Sequence, residues 1–205
     1  MSNDWKHKHK HDFYYRQAKQ KGYVSRAAFK LLQINKKFKI IKKGDIVIDF
    51  CCAPGGWLQV AKSIVGPTGL VIGVDISKIR NITGVVFIKA DIYDPELPMR
   101  IHSILEKKLV DVVMSDCAPK LTGQKSLDAY RQADLVMQCL TLAKQLLAPK
   151  GHFIAKVFQS SELNKLLLHI KAAFEDVRLF KPKASKKESP EMYVIARYFK
   201  QKQDI

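Results

Sequence analysis

Acidic residues are scarce in this chain: 19 Asp and Glu stand against 36 Lys and Arg, a formal net charge of +17. Such a surplus points away from a basic partner and towards a polyanion. Cysteine is nearly absent. Cys51, Cys52, Cys117 and Cys139 include no C-x-x-C pair, so neither a zinc site nor a disulfide framework is expected. No apolar run of about 18 residues occurs, and no signal-peptide core follows the first residues. The expectation is a soluble, unsecreted, cytoplasmic protein with no membrane partner; basic but His-rich first residues leave mitochondrial import as the alternative. Also missing are G-x-G-x-x-G and G-x-x-x-x-G-K-[ST], which argues against a cofactor gripped by its pyrophosphate.

The positive charge is unevenly spread. Residues 1–43 carry 13 Lys and Arg against 2 acids, 44–180 carry 16 against 14, and 181–205 carry 7 against 3. A nearly neutral middle with basic ends suggests that the ends meet the polyanion. Trp5, Phe13, Tyr14, Tyr15 and Tyr23 interleave with the N-terminal cations, and bases can stack on such rings while Lys and Arg hold phosphates. Core packing would explain such aromatics equally well. RNA is therefore the expected partner of a basic extension over about 1–43. Within it, Lys6-His7-Lys8-His9-Lys10-His11 alternates imidazoles with lysines that repel a cation, and no metal is expected.

The run Asp49-Phe50-Cys51-Cys52-Ala53-Pro54-Gly55-Gly56-Trp57 joins a β-branched segment, 44–50, to a segment of helical spacing, 57–65. Glycines at a strand-to-helix turn let a backbone approach a ligand at the carboxyl end of the strand. A second strand over 70–75 ends in Asp75, about twenty residues beyond the glycines, the offset at which an acid holds ribose hydroxyls. Strands over 85–90 and 110–115 run into Asp91 and Asp116. Strand-end aspartates are commonly turn formers or caps. Four in succession, with no phosphate-gripping loop, suit a cationic nucleoside cofactor, and S-adenosylmethionine fits that charge better than a dinucleotide.

Elsewhere, Val24, Ala27, Ala28, Leu31 and Leu32 form one helical face with Ser25 as its cap. Helices are expected near 97–107, 127–147 and 160–174, and strands near 151–158, 177–181 and 191–199. The alternation predicts a single α/β domain: a Rossmann-like, doubly wound, mostly parallel seven-stranded sheet plus an N-terminal helix. The last two strands lie too close in sequence for an intervening helix, so the final one should enter antiparallel. Lys156, inside Phe153-Ile154-Ala155-Lys156-Val157-Phe158, is costly to bury without a partner and marks chemistry or an edge.

Four motifs together resemble the FtsJ (RrmJ) family: Ser25-Arg26-Ala27-Ala28-Phe29-Lys30; Asp49 with Ala53-Pro54-Gly55-Gly56-Trp57; Ser115-Asp116-Cys117-Ala118-Pro119; and Lys181-Pro182-x-Ala184-Ser185 followed by Ser189-Pro190-Glu191-Met192-Tyr193. The likeness runs from about 12 to 199. It implies a Rossmann-like methyltransferase that carries a methyl group from S-adenosyl-L-methionine to a ribose 2′-hydroxyl of RNA, releasing S-adenosyl-L-homocysteine. The implied acceptor is a uridine of large-subunit (23S-type) ribosomal RNA, met free or in the subunit, and a monomer is expected. The family's Lys-Asp-Lys-Glu tetrad matches Lys30, Asp116, Lys156 and Glu191, with Lys156 as general base. Gly55, Trp57, Asp75, Asp91 and Asp116 would contact the cofactor. Cys51-Cys52 departs from the small residues common at that place; being compact and often buried, they should leave the pocket intact though slightly narrowed, with a nucleophilic thiol as the sharper alternative, although no His or cation adjoins Cys51 or Cys117 in sequence. Transfer to tRNA ribose, an RNA base or a protein, or an RNA-binding assembly factor with a vestigial cofactor site, are the alternatives.

Overall fold

A computed structural model describes residues 13–186 and 188–200. The described residues form helices α1 (Phe13–Gln20), α2 (Ala27–Phe38), α3 (Gly56–Val65), α4 (Leu97–Leu105), α5 (Lys125–Leu146) and α6 (Glu162–Ala173). They also form strands β1 (Ile46–Phe50), β2 (Leu70–Asp75), β3 (Val85–Lys89), β4 (Val110–Ser115), β5 (Leu147–Phe158), β6 (Phe174–Phe180) and β7 (Glu191–Phe199). All seven strands make one sheet in the order β3-β2-β1-β4-β5-β7-β6. The first five are parallel, and β7 is antiparallel to both β5 and β6. The expected hairpin forms, and its second strand slides between β5 and β6 rather than closing an edge.

Alternation of side chains along a strand separates the core into two layers. Ile48, Phe50, Ile72, Val74 and Val113 face α4, α5 and α6, packing on Leu97, Ile101, Val136, Leu140 and Ile170. Val47, Val71, Val112, Met114 and Ile154 face the other way, onto Ala28, Leu31 and Ile34 of α2 and Leu58, Val60 and Val65 of α3. Helices therefore cover both faces, and the β-branched runs read as buried parallel strands because they are. No helix among the described residues is long and apolar enough to cross a membrane.

Three expectations need correction. Residues 27–41 are not an appended arm: Ala28, Leu31, Ile34, Ile40 and Ile41 are buried in the second layer. Half the aromatic signal has the same cause, since Tyr14 and Tyr23 pack their rings on Phe29, while Phe13 and Tyr15 stay exposed. The alternating His tract and Trp5 lie outside the described residues. Secondly, Ser25 does not cap α2; its hydroxyl is buried against Gly56, where a Cβ would stand 2.3 Å from Oγ. Thirdly, a disulfide does form, between Cys51 and Cys117, 66 residues apart in sequence. Pairing of β1 with β4 aligns Phe50 with Ser115, so the residues just beyond the two strand ends meet, with Cα atoms 5.0 Å apart. Spacing rules that count residues along the chain are blind to this adjacency. The bridge leaves Cys52 and Cys139 as the free thiols, both buried. Burial pushes the Cys139 thiol up to about 12 and raises Cys52 as well, opposite to what a nucleophile needs.

Gly73 sits in β2 opposite Asp49, where an added Cβ would lie 2.7 Å from Leu58 Cδ1 and 2.9 Å from Cys52 Sγ. Gly73→Ala should destabilise the fold by about 1–3 kcal/mol through overpacking. Urea denaturation measures this; an unchanged midpoint would mean that the β2–α3 interface has slack.

Candidate active site

Parallel strands deliver their carboxyl ends to one rim of the sheet, and the direction of crossover reverses between β1 and β4, which opens a crevice there. A cleft of about 470 Å³ occupies this place, lined by Cys51, Ala53, Asp75, Asp91, Tyr93 and Asp116 among others. β1 turns into α3 at its floor: Cys51 adopts φ 58°, Ala53-Pro54 is cis, and Gly55 takes φ 107°, a conformation natural to glycine. A Cβ on Gly55 would also stand 2.9 Å from Ile82 Cδ1, so the glycine is needed for both shape and space.

The cleft carboxylates are fixed rather than free. Asp75 accepts the amides of Ala53 (2.9 Å) and Ser77 (2.7 Å), which holds it across the two loops. Asp91 accepts the Tyr93 amide at 3.0 Å, and the Tyr93 hydroxyl donates to Asp134 on α5. Among the described residues lining the cleft there is no Lys, Arg or His. In a chain of charge +17 this is a local inversion of sign, suited to a cationic ligand with hydroxyl and amine donors.

Asp49, the remaining strand-end acid, is placed differently. It is 1% exposed, and neither carboxylate oxygen has a hydrogen-bond partner in the protein. Burial, reinforced by Asp116 and Asp75, raises its pKa well above the usual carboxylate range. Trp57 also lies away from the cleft: 2% exposed, it donates from its indole to Ala27 O at 2.9 Å and packs on the Tyr193 ring. The structure thus brings Asp75, Asp91 and Asp116 to the cleft wall and leaves Gly55 and Trp57 in its support.

Beside Asp116, two lysines and two acids cross. Lys30 Nζ of α2 lies 3.3 Å from Glu191 Oε2 and 3.8 Å from Asp116 Oδ2. Lys156 Nζ of β5 lies 3.3 Å from Asp116 Oδ1 and 3.9 Å from Glu191 Oε1, and donates to Asp116 O at 2.9 Å. Both lysines are buried, at 8% and 5% exposure, so each ammonium needs these partners to offset lost hydration. All four residues of the expected tetrad therefore meet.

Sequence reasoning overlooked two supports of this network. Tyr193, fully buried, donates its hydroxyl to Asp116 Oδ1 at 2.6 Å, while Lys30 Nζ sits 5.5 Å from its ring centroid. Burial and the Asp116 carboxylate raise the phenol pKa well above its ordinary value, so it stays a donor. Its spacing of two from Glu191, which places both on one face of β7, was the available signal. Gln132 of α5 donates to the carbonyls of Lys156 (2.7 Å) and Cys117 (3.2 Å), tying β5 to the loop after β4. The Lys181–Ser185 motif has a positioning part too: Ala184 is buried and clasped by Gln33 and Arg26 of the α2 region, which anchors the loop that leads to Glu191.

The FtsJ-like methyltransferase model matches residues 23–199, most of the chain and every element of this site. The chain belongs to the FtsJ-like methyltransferase family. Similar to this FtsJ-like chain is the ribosomal RNA large subunit methyltransferase E of Methanocaldococcus jannaschii, 44% identical over 199 residues that cover 95% of this chain and 81% of that one. Its namesake in Methanothermobacter thermautotrophicus is 43% identical over 205 residues, covering 99% and 97%. A Plasmodium falciparum structure described as a ribosomal RNA methyltransferase superposes with TM-score 0.78 and 29% identity, covering 86% of this chain and 98% of that one. The FtsJ-like chain is thus an enzyme, a methyltransferase.

Asp49 supplies a test of the buried rim. An unfolded Asp ionises near pH 3.9, about its model-peptide value, whereas folded Asp49 keeps its proton to higher pH. Its contribution to stability is therefore present at low pH and lost as pH rises above 4 towards the folded pKa. Asp49→Asn removes that loss, so the ligand-free variant should gain in melting temperature over wild type between pH 4 and pH 7.5. A difference that is flat or falls with pH would contradict the raised pKa.

Proposed function

We propose that this chain transfers the methyl group of S-adenosyl-L-methionine to a ribose 2′-hydroxyl of RNA, within large-subunit ribosomal RNA. The observation that carries the reading is the junction of an acid-lined nucleoside cleft with a buried Lys-Asp-Lys-Glu cluster through one shared residue, Asp116. Family membership supports the reaction class, and the names of the relatives support the acceptor RNA.

The residues present suit the cofactor. Asp75, already oriented by two backbone amides, would take ribose hydroxyls; Asp91 would take the adenine amino group; Asp116 would face the cationic methionine end. When bound there the cofactor supplies an electrophilic methyl group. The protein's own work is on the acceptor side. A ribose hydroxyl is a weak nucleophile until its proton is taken, and Lys156, held by Asp116 and Glu191, is the base assigned to take it once its ammonium has released a proton to solvent and stands as the neutral amine. Lys30 positions the hydroxyl or its neighbouring phosphate. Tyr193 and Gln132 act through Asp116 and Lys156 and are positioning residues. Fixing the reacting groups can contribute about 7–11 kcal/mol and proton removal about 10² to 10⁴ in rate.

The test is incubation with labelled S-adenosyl-L-methionine and undermethylated large subunits or their RNA. Label should appear at one nucleotide whose 3′ linkage resists alkali, because a methylated 2′-oxygen cannot attack it. Label on a base, or on protein, would overturn the ribose assignment. Lys156→Arg retains the charge but is a poor proton acceptor. Its single-turnover rate should fall by at least about 10²-fold with cofactor affinity unchanged by calorimetry. Transfer at a near-normal rate would remove Lys156 from the base role.

A further inference from the structure

A second groove, of about 690 Å³, meets the tetrad at Glu191, where the cofactor cleft meets it at Asp116. Each lysine lies near both acids, so the cluster links the two cavities through Asp116 and Glu191. The carboxyl end of β5 and the start of β7 make the floor: Phe158 pairs with Glu191, and the Gln159 amide donates to Pro190 O at 2.9 Å. The loop before α5 makes the facing wall, shaped by Asp128, which accepts the Thr122 amide and hydroxyl, each at 2.8 Å, and the Gly123 amide at 3.2 Å.

The groove's charge is opposite to that of the chain. Its described lining holds three acids, Asp128, Glu188 and Glu191, against one base, Lys125. Asp128 is occupied by the loop and Glu191 by the lysines, which leaves exposed Glu188 facing the space, with the Ser160 and Ser161 hydroxyls on the same lining. An RNA phosphate would be repelled here. A nucleobase would not: its edge offers N–H donors to a carboxylate and hydroxyls, and its face can lie on Phe158, Leu121 and Pro190.

We infer that this groove receives the acceptor nucleoside unstacked from its RNA strand, with Glu188 accepting from the N–H edge of the base and phosphates kept outside on the basic surface. The inference rests on the RNA ribose methyltransferase reading and adds where the acceptor sits and what reads it. Glu188 is a specificity-determining residue, not part of proton transfer. Sign selection gives it an unusual consequence. Adding a positive charge at this position helps a nucleic-acid surface in general and harms this one.

Two variants and a crosslink test it on the full chain. Ser126 is exposed on the first turn of α5 and lines the groove, so Ser126→Trp fills the space without touching the core. Transfer to RNA should fall by about 10²-fold, with S-adenosyl-L-methionine affinity within about twofold of wild type. Glu188→Lys should lower kcat/KM about tenfold, the worth of one charge-assisted hydrogen bond, while overall RNA affinity is unchanged or higher. A short single-stranded RNA with one photoreactive uridine should crosslink to the peptides 158–161 or 188–190, and Ser126→Trp should suppress those crosslinks. The crosslink reads the groove whether or not wild type transfers methyl, so failure of the reaction and failure of the site are separable. Crosslinks confined to other surfaces, normal transfer by Ser126→Trp, or transfer by Glu188→Lys at or above the wild-type rate would each overturn the inference.

Discussion

Two ammonium groups buried beneath the rim of a sheet govern much of this architecture. Unpaired, each would cost several kcal/mol, so Lys30 and Lys156 are tolerable only while both Asp116 and Glu191 stand between them. That requirement reaches into four elements: α2 brings one lysine, β5 the other, the end of β4 one acid and β7 the second. Tyr193 fills the interior with a ring under Lys30 and a donor to Asp116, and Trp57 packs on that ring in turn. The packing of α2 on the sheet, which looks like core formation for its own sake, is also what places a lysine there.

Charge is sorted in space more sharply than along the chain. In a chain of charge +17, the cleft at the carboxyl ends of the strands and the neighbouring groove are each acid-lined. A polyanion drawn by the surplus is thus held off the two cavities themselves, and only neutral or cationic portions of a ligand gain by entering. Long-range attraction and local selection use opposite signs.

Much of this was legible in the chain because it follows short periods. Asp75, Asp91 and Asp116 terminate β-branched runs, and adjacent parallel strands necessarily bring such ends together, so three cleft acids could be named without coordinates. Lys156 declared itself by polarity inside an apolar strand. What could not be read depended on which strands neighbour one another. The Cys51–Cys117 bridge exists because β1 and β4 are adjacent, and Tyr193 meets Asp116 because β7 inserts beside β5. Trp57 shares a motif with cleft-forming residues but, on the first turn of α3, points to the packed face. Asp49 looked like a fourth cleft acid, but it pairs with Gly73 and Met114, two residues short of Asp75 and Asp116 along the strands, and so stays beneath the cavity.

The insertion of β7 between β5 and β6 also bears on time. Residues 51–135 contain every residue lining the cofactor cleft, whereas Glu191 reaches Lys30 across 161 residues of chain. A ribosome making this protein releases the residues that line the cleft long before the strand that completes the lysine cluster. At residue 135 only Lys30 and Asp116 of the four-residue cluster have been made. The cluster is complete only with the last strand, when Glu191 of β7 takes its place beside β5.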